Sequence, residues 1–132
     1  MRYLGIDYGS AHLGLSIADD EARLALPYDT IEEQNRSRQL ELIKQVIDDE
    51  KVDEVVVGLP LNLKGQQGYQ SEQTMEFIEQ LQAVIANKIH REDERLTSRF
   101  ARRLIQESSD KGQNEHAVAA MLILQIFLDK RL

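Results

Sequence analysis

A chain of 132 residues with formal net charge -7 and no cysteine has room for one hydrophobic core, burying roughly two-thirds of the surface its unfolded form exposes. The absence of cysteine excludes disulfides and thiolate metal sites and suits a reducing cytoplasm. No apolar run reaches the length of a membrane span and no signal peptide opens the chain, while the acidic balance argues against broad adhesion to nucleic acid unless Lys and Arg cluster locally. These limits lead to the expectation of a single cytoplasmic domain over residues 1–132, with monomer and dimer both open.

Residues 2–7 alternate as a strand does, and Leu13, Leu15 and Ile17 fall on one face of a second strand, with Gly9 in the turn between them. Asp19-Asp20 breaks that run, and the stretch from Arg23 to Tyr28 reads as a short third strand ending near Pro27. From about Ser37 the period changes: Leu40, Ile43, Val46 and Ile47 form a helical stripe, with Asp48-Asp49 on the solvent side. Val55-Val56-Val57 is a continuous β-branched run ending at Gly58, the pattern of a strand buried on both faces.

The segment PLNLKGQQGYQ, residues 60–70, reads as a loop from its Pro, Asn and glycines. After it, Met75, Ile78, Gln82 and Ile85 mark one side of a second helix, which Phe77, Leu81 and Val84 widen. Residues 89–94, IHREDE, hold a strand's position with an edge strand's charge. Thr97 or Ser98 can cap a helix running through Ser108, and Asn114 can cap a last helix carrying Val118, Met121, Leu122 and Ile126. Three strands followed by alternating helices and strands imply an α/β fold, a mixed sheet with helices on both faces.

Three groups of residues carry chemistry beyond packing. Asp7 closes a buried strand, where a carboxylate is costly unless something pairs with it. Such an aspartate is often a plain turn former, but Gly5, Gly9 and Gly14 around it would leave a ligand free to approach the backbone. The run DERLTSR, residues 93–99, ends the last strand; a solvated strand end is the simple alternative. Arg95, Arg99, Arg102 and Arg103 form a local basic cluster in an acidic chain, either a solvated helix face or a phosphate-binding patch.

Together, MRYLGIDYGSAHLGLSIA, VVVGLPLNLKGQQG, DERLTS and AVAAMLILQ, in this order and spacing, resemble the YqgF/RuvX family, Holliday-junction-resolvase-like proteins also described as pre-16S rRNA nucleases. The resemblance covers essentially the whole chain. It implies an RNase H-like fold, a five-stranded mixed sheet of order 3-2-1-4-5, with an active site at the C-terminal end of the first strand. It further implies a nuclease that uses a divalent metal, Mg²⁺ or Mn²⁺, to hydrolyse phosphodiesters in structured nucleic acid. The 5′ end of pre-16S rRNA, in ribosome biogenesis, or branched DNA would be the substrate.

Carried over by position, Asp7 is the central metal ligand and Glu94 the second, on strand ends expected to be adjacent and parallel. Two carboxylates about 4 Å apart repel by roughly 4 kcal/mol at an effective dielectric of 20, and a divalent cation converts that repulsion into binding. Arg95 sits beside Glu94, and with Arg99 and Arg102 would contact phosphate. Asn62 and Gly65 fall in a loop resembling the family's substrate-side loop.

The family pattern has an aspartate where His116 stands, usually an arginine where His12 stands and an apolar residue near Glu92. Neutral imidazole suits Mn²⁺ or Zn²⁺ better than Mg²⁺, which makes His116 a candidate catalytic and metal-binding residue, with Glu115 beside it as a further donor and Asp110 as a weaker substitute. A surface histidine is the alternative, and it favours a second reading: a catalytically impaired RNase H-like module that binds nucleic acid without cutting it.

Overall fold

The structure is a computed structural model and describes residues 1–60, 68–93 and 115–131. Its strands are β1 (Arg2–Tyr8), β2 (His12–Asp19), β3 (Leu26–Glu32), β4 (Glu54–Leu59) and β5 (Lys88–Asp93). The described helices are α1 (Arg36–Asp49), α2 (Tyr69–Gln82) and α3 (Glu115–Lys130). The strands form one sheet in the order β3-β2-β1-β4-β5, with β1, β2 and β3 antiparallel and β1, β4 and β5 parallel. This is the order that the resemblance implied. The helix expected over 97–108 lies outside the described residues.

Alternation along the strands splits the core in two. Leu4 and Ile6 of β1, Leu13 and Leu15 of β2, and Val55 and Val57 of β4 meet Ile43 and Ile47 of α1 and Phe77, Ile78 and Leu81 of α2. On the opposite face Tyr3 and Val56 meet Ile123, Leu124, Phe127 and Leu128 of α3. Burying thirteen side chains on one face and eight on the other, the large ones at about 1.5–3 kcal/mol apiece, is the main force holding helices to sheet. Odd residues of β1 therefore look toward α3, and Asp7 is the last of them, one position before the strand's end.

Two expectations are corrected. The third strand begins later, at Leu26, because Asp19 organises a turn: its carboxylate accepts from the Ala22 amide at 2.7 Å, its carbonyl accepts from the Arg23 amide at 3.1 Å, and Arg23 takes φ 52°. Pro27 then falls inside β3, tolerated because β3 is an edge. Helix α2 starts at Tyr69 and ends at Gln82, so Tyr69 and Gln70 are helical rather than loop, and Gln82 and Val84 face solvent.

Helix α3 carries Val118, Met121, Leu122 and Ile126, as expected, but half-buried; its buried face is Ala117, Ala120, Ile123, Leu124, Phe127 and Leu128. The reason is close approach. A Cβ on Gly5 would lie 2.9 Å from Leu124 Cβ and 3.0 Å from the Ala120 carbonyl oxygen, and the buried Ser16 hydroxyl donates to that same carbonyl at 2.8 Å. Only the alanine-rich face is slim enough to lie there. No helix among the described residues is long and apolar enough to cross a membrane.

Candidate active site at the end of β1

The cleft of interest opens at the C-terminal end of β1 and has a volume of about 400 Å³. Asp7, Tyr8, Gly9, Ser10, Ala11 and His12 form one wall, Pro60 with Gln70, Gln73 and Thr74 of α2 another, and His116 of α3 the third. Gly14 brings the third wall in. It pairs with Asp7 across the β1–β2 ladder, and a Cβ there would sit 1.9 Å from the carbonyl oxygen of His116 and 3.0 Å from the Ala117 amide nitrogen. With a hydrogen in its place, the first turn of α3 lies directly on the sheet beside Asp7 and points His116 into the cleft.

The turn joining β1 to β2 is anchored from three directions. The Gly9 amide donates to the His12 carbonyl at 2.8 Å, and the Glu33 amide donates to the Ala11 carbonyl at 3.1 Å. The fully buried Gln39 of α1 spends its amide group on the carbonyls of Ser10 (3.2 Å) and Glu33. Beneath the turn, the Tyr8 ring stacks on Phe77 at 4.6 Å, and the Arg36 guanidinium donates to the Tyr8 hydroxyl, to Gln80 and to Gln39. The Ser71 hydroxyl donates to the Pro60 carbonyl, tying α2 to the end of β4. Asp7 thus sits on a scaffold of paired backbone and filled core, the arrangement that holds a reacting group in place.

Across the mouth of the cleft the imidazoles of His12 and His116 stack, centroids 4.9 Å apart and planes within 10° of parallel. His12 Nδ1 also lies 4.0 Å from a carboxylate oxygen of Glu32, its register partner on β3.

Of the sequence-derived site residues, Asp7 and His116 line the same cleft; Glu115, half-buried in the same helical turn, is not among the lining residues. Glu94, Arg95, Arg99, Arg102, Asn62 and Gly65 lie outside the described residues, as do Arg103 and Asp110. The expectation that the ends carrying Asp7 and Glu94 are adjacent is corrected: β4 lies between β1 and β5, which run parallel but one strand apart. Sequence reasoning missed the α2 wall. Its signal was the polar triplet Gln70, Gln73, Thr74 at helical i, i+3, i+4 spacing, hidden by reading Gln70 as loop.

The sequence matches the family described as "RuvX: Holliday junction resolvase" over residues 1–130. The chain belongs to the RuvX family. A relative in Rickettsia rickettsii (strain Sheila Smith), named "Putative pre-16S rRNA nuclease", is 35% identical over 96% of this chain and 84% of its own. One of the same name in Thermoanaerobacter pseudethanolicus is 35% identical over 99% and 98%. Among solved structures, Thermus thermophilus RuvC in complex with a Holliday junction substrate superposes with TM-score 0.66 at 15% identity, covering 99% of this chain and 95% of that one. The fowlpox virus resolvase, solved with Holliday junction DNA, superposes with TM-score 0.60 at 12% identity over 100% and 99%. At such identities the likeness establishes the fold, which this RuvX-family chain shares with the resolvases.

Proposed function

We propose that this RuvX-family chain is a single-domain, metal-dependent nuclease of the cytoplasm that hydrolyses phosphodiesters in structured nucleic acid, the 5′ end of pre-16S rRNA first and branched DNA second. The observation that supports it is the convergence of Asp7 and His116, from opposite ends of the sequence, on one cleft at the C-terminal end of β1. The names carried by the relatives point the same way.

In this reading Asp7, Glu94 and His116 hold a divalent ion; Glu115, which does not line the cleft, is not one of its donors. The donor chemistry fits such an ion: carboxylate oxygens and one imidazole nitrogen suit Mn²⁺, and Gly14 clears the space for the nitrogen donor. Among the described residues no three His, Cys, Asp or Glu side chains come close enough to hold an ion, so the reading requires Glu94. When bound, the ion supplies Lewis-acid stabilisation of the scissile phosphate and a more acidic bound water. The chain's own groups do the rest. Arg95, Arg99 and Arg102 contact phosphates, Asn62 and Gly65 contribute from the substrate-side loop, and Gln70, Gln73 and Thr74 offer neutral donors and acceptors along the facing wall.

The deciding experiment measures cleavage of a structured precursor RNA and of a four-way DNA junction with Mg²⁺ or Mn²⁺. Wild type is expected to favour Mn²⁺, His116→Asp to gain Mg²⁺-dependent cleavage, and Asp7→Asn to lose cleavage with either ion. If wild type and His116→Asp are equally inert with both metals on both substrates, while RNA binding persists, the nucleic-acid-binding module is the correct account.

A further inference from the structure

We propose that His12 is a positioning residue that fixes the His116 imidazole for metal binding without itself touching the ion; this rests on the reading of His116 as a ligand. The lone pair of an imidazole nitrogen lies in the plane of its ring. Two imidazoles that share an ion at about 2.0–2.1 Å must aim their nitrogens at one point. Rings within 10° of parallel and 4.9 Å apart instead aim their lone pairs side by side, so the contact is a stack and not a chelate.

His12 brings its ring to that stack from an anchored backbone. Its carbonyl closes the β1–β2 turn by accepting from Gly9, its backbone pairs with Glu32, and its Nδ1 leans toward the Glu32 carboxylate at 4.0 Å. His116 has its backbone pressed against Gly14, and among the described residues the His12 ring lies flat against its side chain. Groups that orient a metal-binding histidine typically change metal affinity by 10–100-fold when removed, and a stack with no hydrogen bond belongs at the lower end.

The test is Mn²⁺ affinity of the whole protein, read from the electron-spin-resonance signal of free Mn²⁺, for wild type, His12→Ala, His12→Phe and His116→Ala. The imidazole proton signals of His116 are recorded alongside in metal-free protein. His12→Ala should weaken Mn²⁺ binding about tenfold and move or broaden the His116 signals. His12→Phe, which keeps a flat ring and has no nitrogen, should stay within about twofold of wild type by the same argument. Equal losses in His12→Phe and His12→Ala would make His12 a ligand and overturn the proposal. So would wild-type affinity and unmoved His116 signals in His12→Ala. If His116→Ala binds Mn²⁺ as wild type does while His12→Ala still disturbs the His116 ring, the contact stands but its premise falls. That outcome overturns the ligand reading of His116 and the metal role of His12 with it. His12 is half-exposed, with 46% of its side chain accessible, so each variant is expected to fold.

Discussion

Gly14→Ala should damage the candidate site more than the fold. The added Cβ would lie 1.9 Å from the His116 carbonyl oxygen, 2.2 Å from its carbonyl carbon and 3.0 Å from the Ala117 nitrogen, where ordinary contact begins at 3.4 Å. All three are backbone atoms, so no side-chain rotation relieves the clash, and the start of α3 must withdraw by about 1.5 Å. Overpacking of this kind costs about 1–3 kcal/mol, which a urea midpoint measures directly. The same withdrawal carries His116 away from Asp7, and misplacement of a reacting group by about 1 Å can reduce a rate 10²-fold. Metal-dependent cleavage, assayed without urea where the variant is fully folded, should therefore fall by about one to two orders of magnitude. Gly68→Ala is the control, because a Cβ there meets nothing within 4 Å; its effect on stability should stay below about 1 kcal/mol. A Gly14→Ala protein with the wild-type midpoint and wild-type cleavage would refute the claim that this glycine sets the helix against the site.

Gln39→Leu should lower stability by about 1 kcal/mol, since it removes the buried amide that donates to the part-buried carbonyls of Ser10 and Glu33; an unchanged urea midpoint would mean water replaces that amide without loss. Lys130→Met should destabilise by about 1 kcal/mol, a small figure because Lys130 is largely exposed although its partner Glu92 is buried. Adding Glu92→Gln to it should recover part of the loss, as removing both members of a pair spares the stranded charge; additive losses in that double-mutant cycle would count against a real pairing. Replacing Arg99 and Arg102 by Ala should flatten the dependence of log affinity for structured RNA on log salt, by about one unit of slope for each phosphate left without its arginine. Identical salt slopes would remove these arginines from the interface.

Much of the fold could be read from the chain because its strands carry strong local signals. Val55-Val56-Val57, bounded by Gly58, has few alternatives to a strand buried on both sides, and the alternation in β1 and β2 fixed their inward faces. The missed features depend on tertiary contact. The buried face of α3 follows from how near the sheet lets a helix come, which is decided by Gly5 and Gly14 on other elements. An apolar helix with hydrophobic residues almost all round does not announce which side is slimmest. The late start of β3 has a similar origin: Asp19 turns the chain, and the Ala25 amide is tied to Gln125 of α3 at 2.9 Å, a partner far along the chain. Asp7 was legible as a candidate, and it does line the cleft, because a carboxylate ending a buried strand among glycines is an anomaly that asks for a reason. The stack of His12 on His116 was not, since neither histidine carries a periodic signal and the contact joins the first turn of the sheet to the last helix.

That distance along the chain has a temporal meaning. Ser16 and Ala120, whose hydrogen bond docks α3 on the hairpin of β1 and β2, are 104 residues apart, and Asp7 and His116 are separated by a similar span. A ribosome adding about 5–20 residues per second needs roughly 5–20 s to pass from one to the other. During that interval β1 and β2 can pair while the third wall of the cleft does not yet exist. A nascent chain carrying Asp7 therefore holds an incomplete cleft until the segment with His116 has been made.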